Sequence, residues 1–498
     1  MSFAPRQWQQ RASDTLHINA KNGLDRALVC ACPGAGKTFG GLFVAQTIAA
    51  RLKATDKLVV VTPNLAIKTQ WIKRAETMGI ELRQVHRADE LRQPTFSMGF
   101  GGLIVSYQQA CADVRLLLRE YVERHRPIVI LDEVHHTSSS SGAREGNAWG
   151  TICEDIFAAA SFKLCMTGTP FREGNNPIAF VDYNDDGEAV AQVRYSYSDA
   201  IKDGVCRPTS FYAFDGEITW RSARGNIIVA SFDDKLTKKL ARERLRAAFD
   251  VDCEFTATML RAADAKLDQV RAGDGVDRNA GGLILARDVA SAEAIASFME
   301  ALKGERPVVV HNKVDEAHGL IEAFSEGDQR WIIGINMLSE GVDIPRLRVG
   351  VYASNVRARL YFHQFCGRFV RVQESRREHS FVFIPNDTEI LETAREIEKE
   401  VFHVLDGEPM PTPVSRIGSG RRGPRPLEVL STNGVTETGS IYKGKFYPAG
   451  YIREHFGDVT QFRIDFPEHT DWQDVQVLDM LARMGRIAAP AAPETGAA

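Results

Sequence analysis

Lys37 stands at the end of the run Ala31-Cys32-Pro33-Gly34-Ala35-Gly36-Lys37-Thr38, and Asp132-Glu133-Val134-His135 follows further along the chain. The first run has the parts of a phosphate-binding loop. Gly34 and Gly36 let backbone N–H groups turn inward around phosphate oxygens, with Pro33 and Ala35 completing the turn. Lys37 can reach the β and γ phosphates, and the Thr38 hydroxyl can ligate Mg²⁺. The first position is Ala31, where glycine is usual. The second run ends the apolar segment Ile128-Val129-Ile130-Leu131, so a buried strand would deliver two carboxylates to a sheet edge. Asp132 would hold Mg²⁺ through water, and Glu133 would orient and deprotonate an attacking water. Together the two runs predict a nucleoside triphosphatase.

The elements that must position these residues are legible as short β-branched runs alternating with helical patterns, the mark of parallel α/β sheets. In the first half the runs are Ala27–Ala31, Leu58–Thr62, Leu103–Ser106, Ile128–Asp132 and Phe162–Thr167; in the second they are Gly282–Ala286, Pro307–His311, Trp331–Ile335, Val349–Ala353 and Phe381–Ile384. Each set suffices for one doubly wound sheet, with ligands gathering at the carboxyl ends of its strands. The phosphate loop follows such a strand and precedes an apolar helix, Thr38 to Leu52, whose N-terminal dipole favours anions.

The stretch 215–281 is charged and reads as a helical insertion. In it Lys235, Lys238, Lys239, Arg242 and Arg246 form a basic stripe. A solvated helix face is the plain reading; a strand-tracking surface is the other. Residues 407–426 hold five Pro, four Gly and four Arg and read as an extended linker. After it, 427–487 reads as a small accessory module whose Tyr442, Phe446, Tyr447, Tyr451 and Phe456 mix with Lys443, Lys445 and Arg453. These residues suit a small core with a wet rim, or base stacking with phosphate contact. Residues 488–498 read as a disordered tail.

The 498 residues, 44% hydrophobic, are too many for one ordinary domain. A net charge of −4 argues against a basic coat for indiscriminate nucleic-acid binding and leaves room for a local basic groove. No apolar run is long enough to span a membrane, and the N-terminus lacks a basic-then-apolar leader, so a cytoplasmic protein is expected. The eight cysteines are scattered, with no Cys-x-x-Cys pair, and predict neither a disulfide framework nor structural zinc.

From about Arg6 to Arg371 the motifs, in order, resemble those of a superfamily 2 helicase of the DExH type. Arg6 and Gln9, flanking Trp8, resemble an adenine-reading element ahead of the phosphate loop. Thr62 and Pro63, followed by Gln70, resemble the element that grips strand phosphates, and Ser106-Tyr107-Gln108 resembles a later strand contact. Thr167-Gly168-Thr169-Pro170 resembles the motif coupling hydrolysis to strand movement, in the form carried by type III restriction motors and repair helicases, and the resemblance puts Thr167 and Thr169 on the strand. Leu283 to Arg287 falls where a further motif is expected. In Ser339-Glu340-Gly341-Val342-Asp343, the resemblance puts Ser339 and Gly341 on a strand phosphate, with Gly341 and Asp343 beside the nucleotide. Gln364 to Arg371 resembles the last motif, with Gln364 at the site and Arg368 and Arg371, spaced to share a helix face, as arginine fingers on the γ-phosphate.

The resemblance implies two tandem RecA-like parallel-sheet lobes, 1–200 and 201–404, with a nucleotide cleft between them. It implies ATP and Mg²⁺ as cofactors and nucleic acid as partner, DNA before RNA, because the DEAD-box signature of RNA helicases is missing. The expected activity is a DNA helicase or translocase, 3′ to 5′ by resemblance, on duplex or branched DNA in repair, recombination, or phage or mobile-element metabolism. The alternatives are an RNA helicase and a nucleotide-gated DNA clamp or motor subunit of a defence complex.

Overall fold

The structure, a computed structural model, describes residues 4–53, 55–85, 88–91, 100–137, 149–168, 177–222, 225–250, 253–272, 278–311, 317–335, 344–373, 379–401, 428–442, 445–465 and 474–490. The chain divides into two compact units, Met1–Ala200 and Ile201–Ala498. Both are α/β and RecA-like. Among the described residues no helix is long and apolar enough to cross a membrane.

The first unit is built on seven strands: β1 Arg26–Ala31, β2 Lys57–Thr62, β3 Glu81–Gln84, β4 Gly101–Ser106, β5 Ile128–Asp132, β6 Phe162–Thr167 and β7 Val193–Tyr195. They pair in the order β3-β4-β2-β5-β6-β1-β7, every pair parallel. Strands covered on both faces must be apolar on both faces, and β5 and β6 are buried along their whole length. The order puts the ends of β1 and β5 on either side of β6, so the phosphate loop and the two carboxylates emerge at one edge. Helix Gln7–Lys21 packs on helix Lys37–Leu52 and brings the N-terminal segment to the same edge.

The second unit contains β8 Thr209–Arg221, β9 Ile227–Ala230, β10 Gly281–Ala286, β11 Val308–Val310, β12 Trp331–Gly334, β13 Leu347–Ala353, β14 Ser380–Pro385, β15 Glu428–Tyr442 and β16 Lys445–Pro448. The order is β11-β12-β10-β13-β14-β8-β15-β16, with β9 beside β8. The run from β11 to β8 is parallel, whereas β15, β16 and β9 join antiparallel.

Two sequence expectations are corrected here. The stretch 215–281 opens with most of β8 and all of β9, and becomes helical only at Lys238–Ala248 and Glu254–Arg271. Of the basic stripe, Lys235, Lys238, Lys239 and Arg242 are exposed and Arg246 is half-buried. The segment after 427 is not a separate module either, because β15 pairs with β8 from Glu428 to Ile441 and extends the sheet. Its own small core holds Tyr442, Tyr447, Val459, Phe462, Val475 and Leu478, with the Tyr447 hydroxyl donating to Asp479 at 3.0 Å. Phe446 and Tyr451 are half-buried and Phe456 is exposed. Lys443, the linker at 405–426 and the tail beyond Pro490 lie outside the described residues.

Buried charges in the second unit are answered mainly by backbone and by each other. The Arg346 guanidinium, fully buried, donates to the carbonyls of Phe324 (2.8 Å), Asn279 (2.6 Å) and Gln329 (2.6 Å). Asp387, also fully buried, faces Arg357 at 2.9 Å and Arg244 at 3.6 Å and accepts from the Glu389 N–H at 3.2 Å.

His363, on helix Arg359–Cys366, gives a pH-dependent stability. Burial, assisted by Arg359, holds its imidazole pKa down at about 3, so it folds neutral. The unfolded chain binds that proton near pH 6.5, so the stability is fully present above that pH and is lost as pH falls toward 3. Between pH 8 and 5.5 this residue should cost on the order of 1 kcal/mol of unfolding free energy. Urea titrations of wild type and His363→Leu across that range should show a shallower pH slope in the variant.

Candidate nucleotide-binding site

The phosphate loop is set by backbone conformation. Gly34 and Gly36 have φ of +80° and +84°, the left-handed region that favours glycine. Helix Lys37–Leu52 begins immediately after, and among the described residues no side chain caps that end. A helix N-terminus of this kind presents N–H groups and positive potential to an anion.

The N-terminal segment pins the loop from outside. Arg6 Nη1 donates to the carbonyls of Ala35 (2.8 Å) and Gly34 (3.2 Å), Trp8 Nε1 to Ala35 (3.1 Å), and Gln9 Nε2 to Gly36 (3.1 Å). Gln9 Oε1 accepts from the Arg6 N–H at 2.8 Å. Trp8 is buried and stacks on Tyr195 with ring centroids 5.1 Å apart. The expected adenine readers therefore engage the loop carbonyls of Gly34, Ala35 and Gly36.

Glu133 sits at the centre. Its backbone has φ +46°, a strained conformation for a residue with a side chain, which directs the carboxylate back toward the loop. Lys37 Nζ donates to Oε1 at 2.5 Å, while Oε2 takes the Gly168 N–H at 3.2 Å and the Thr167 hydroxyl at 3.4 Å. His135 Nδ1 lies 3.5 Å from Oε2 and 3.0 Å from the Thr167 hydroxyl. Burial alone would raise the Glu133 pKa, but Lys37, His135 and the Gly168 N–H outweigh it and hold it at about 2. Lys37 stays charged because Glu133 and Asp132 outweigh its own burial. A Cβ on Gly168 would stand 2.8 Å from Lys37 Nζ, so only glycine lets Lys37 reach Glu133 here without displacement.

Asp132 is held from three sides. Trp71 Nε1 donates to Oδ2 at 2.7 Å, the Glu133 N–H to Oδ1 at 3.1 Å, and the Tyr107 hydroxyl to the Asp132 carbonyl at 2.9 Å. Burial and the neighbouring Glu133 charge push its carboxyl up to about 6. Among the described residues no group of three or more His, Cys, Asp or Glu is placed to hold a metal. Mg²⁺ needs no such cage, since it keeps several waters and binds through one or two carboxylates and substrate phosphates. The Asp132 carboxylate and the Thr38 hydroxyl would be the hard-oxygen groups that hold Mg²⁺ in this way.

The expected strand contacts divide. Pro63, Gln70 and Ser106 are half-buried, at or beyond the ends of β2 and β4. Thr62, Tyr107 and Thr167 are wholly buried, which corrects them as side-chain contacts to a strand. The Thr62 hydroxyl turns to the Asn64 carbonyl at 3.3 Å, and the Tyr107 ring belongs to the core. Thr169, Ser339, Gly341 and Asp343 lie outside the described residues.

Gln364 lies on helix Arg359–Cys366, but the shared helix face expected for Arg368 and Arg371 is not there. The helix stops at Cys366, Gly367 is its cap, and Arg371 pairs in an antiparallel bridge with Cys206. The Arg207 N–H donates to the Val370 carbonyl at 2.7 Å and fixes that extended segment.

The resemblance placed Trp71 beside Gln70 in the strand-gripping motif and gave it no part at the nucleotide. Trp71 lies on the Ile67, Trp71, Ala75 stripe, which reads as core, and a buried indole N–H needs an acceptor. That requirement was the available signal; that Asp132 is the acceptor depends on the strand order.

Residues 2–172 match the family described as type III restriction enzyme, res subunit. Two uncharacterized proteins align over most of this chain. One, from Mycobacterium tuberculosis, is 34% identical over 414 residues, which are 80% of this chain and 66% of that protein. The other, from Mycobacterium leprae, is 33% identical over 404 residues, 80% of this chain and 65% of that protein. The chain thus spans just under two thirds of these relatives. In fold it resembles the ATP-dependent type ISP restriction-modification enzyme LlaBIII bound to DNA, with TM-score 0.56 and 14% identity over 80% of this chain and 30% of that one. It also resembles a fragment described as an HsdR subunit of a type I restriction enzyme from Vibrio vulnificus, with TM-score 0.51 and 18% identity over 77% of this chain and 64% of that one. The matched segment, residues 2–172, is a superfamily 2 helicase-like domain of the branch that contains the type III restriction motor subunits.

Proposed function

We propose that the chain is an ATP- and Mg²⁺-dependent motor that moves along or unwinds duplex or branched DNA. The observation that carries this reading is the Glu133 carboxylate, held between Lys37 and the Gly168 N–H at the mouth of the pinned phosphate loop. In this reading the phosphates draw Lys37 away, and Glu133, freed of its cation, becomes a stronger base for the attacking water. Thr38 and Asp132 hold Mg²⁺, which when bound neutralises charge on the β and γ phosphates. Arg368 and Arg371 supply further positive charge to the γ-phosphate, and Gly341 and Asp343 complete the nucleotide contacts. Pro63, Gln70, Ser106, Thr169 and Ser339 grip the strand by its phosphates, so binding is largely indifferent to sequence. The match to a restriction-enzyme subunit supports DNA over RNA. Repair, recombination and mobile-element or defence metabolism are the settings that fit such a motor.

The test is steady-state ATPase of the protein alone and with single-stranded DNA, duplex DNA, a four-way junction or RNA, with Lys37→Ala as control. Stimulation by DNA, greatest with the junction, is expected. Stimulation by RNA alone would replace the DNA reading with RNA remodelling. ATPase that no nucleic acid stimulates would point to a subunit activated by a protein partner.

A further inference from the structure

Two elements expected to grip the strand are tied, by separate hydrogen bonds, to Asp132, one to the carboxylate expected to hold the metal and one to the backbone carbonyl of the same residue. Helix Leu65–Thr77 follows β2 and is capped by the Asn64 side chain, which accepts from the Ile67 N–H at 3.0 Å. Helix Tyr107–Cys111 follows β4 and is capped by Ser106 in a reciprocal arrangement with Gln109. β4 and β2 are neighbours, and β5, which ends in Asp132, lies on the far side of β2. From the first helix Trp71 reaches Asp132 Oδ2 at 2.7 Å; from the second Tyr107 reaches the Asp132 carbonyl at 2.9 Å. Lys68 Nζ joins the two helices by donating to Gln109 Oε1 at 2.6 Å. The Trp71 and Tyr107 bonds to Asp132 are buried and shielded from water, and buried Lys68 joins the helices through half-buried Gln109, so a shift of either helix is transmitted to Asp132.

We propose that Trp71 and Tyr107 are positioning residues that couple nucleic-acid occupancy at Pro63, Gln70 and Ser106 to the orientation of the Asp132 carboxylate. This rests on the strand-gripping role given to those residues above. Neither side chain touches nucleotide or strand in this scheme. They act as outer-shell partners of a metal ligand, a class whose loss typically weakens metal affinity 10- to 100-fold. A strand drawn against the two helix starts sets the indole N–H and the phenol, and these set Asp132. The route is a chain of packed groups whose coupling is open to direct measurement.

The experiment uses the full chain as wild type, Trp71→Phe and Tyr107→Phe, the second removing one oxygen and leaving the ring. Three quantities are read: the Mg²⁺ concentration for half-maximal binding of a fluorescent ADP, which needs no turnover; the fold-stimulation of ATPase by DNA; and DNA affinity without nucleotide. Trp71→Phe should raise the Mg²⁺ midpoint about 10-fold and remove most of the stimulation, with DNA affinity changed less than about 2-fold. Tyr107→Phe should shift both in the same direction by less, and it decides the matter if Trp71→Phe does not fold. Wild-type Mg²⁺ dependence and stimulation in a folded variant would overturn the relay and leave the motor reading standing. A wild-type protein that no nucleic acid stimulates would remove the motor reading, and the relay with it.

Discussion

Glu133→Gln should cut ATP turnover by about 10³-fold while nucleotide binds at least as tightly as to wild type. The turnover loss follows from replacing the carboxylate that would take a proton from water by an amide that cannot. The binding result follows from the geometry. Glu133 holds Lys37 at 2.5 Å, and that contact must open for Lys37 to meet a phosphate. An amide cannot satisfy the site: with its oxygen toward Lys37, its NH₂ faces the Gly168 N–H, and with its NH₂ toward Lys37, two donors face each other. Lys37 is therefore released for phosphate. Lys37→Ala should lose turnover and affinity together, because the cation itself is gone. The pair separates the two roles by equilibrium binding of a fluorescent nucleotide beside steady-state ATPase. Near-normal turnover in Glu133→Gln would remove Glu133 from the role of base.

Asp387→Ala should destabilise the second unit by about 3–5 kcal/mol, the usual cost of breaking a buried ion pair by removing one partner. Asp387 is fully buried, and its side chain faces two cations, Arg357 and Arg244, themselves 11% and 3% exposed. Removing the carboxylate leaves both guanidinium groups desolvated and takes from helix Thr388–Val401 the side chain that accepts the Glu389 N–H. Asp387→Asn keeps the shape and that acceptor but not the charge, so it should fall between Ala and wild type. Urea unfolding followed by tryptophan fluorescence measures both. A change under about 1 kcal/mol for Ala would mean that the arginines are satisfied without Asp387.

What the sequence disclosed was decided within a few residues of chain. The phosphate loop is one contiguous run between a strand and a helix, and the Asp132-Glu133 pair ends a continuously apolar strand. Both lie where the spacing put them. Each of the ten β-branched runs coincides with a strand for the same reason, with Pro307–His311 overrunning β11 at both ends and Trp331–Ile335 overrunning β12 by one residue. Strand β8 was missed because Asp215, Gly216 and Glu217 interrupt its pattern, and β15 because Thr432, Asn433, Thr436 and Glu437 read as loop. Both are specified by pairing with each other across some two hundred residues of chain, which no local window contains. The contacts of Arg6, Trp71 and Tyr107 were hidden similarly, since each joins segments brought together by strand order. The shared helix face for Arg368 and Arg371 failed likewise. The helix ends at Cys366, and the Cys206–Arg371 bridge and the Arg207 N–H to the Val370 carbonyl, contacts distant in sequence, hold the following segment extended.

The pairing of β15 with β8 bears on where this protein can be divided. Its recognisable motifs end at Arg371, and a boundary chosen from them would fall near residue 404. A chain cut there would lose β15 and bare one side of the thirteen-residue strand β8. Unpaired N–H and C=O groups along a strand of that length are a template for edge-to-edge association with another chain. The shortened protein should therefore aggregate although every helicase-like motif is intact, whereas a chain ending after Pro448 keeps that edge covered.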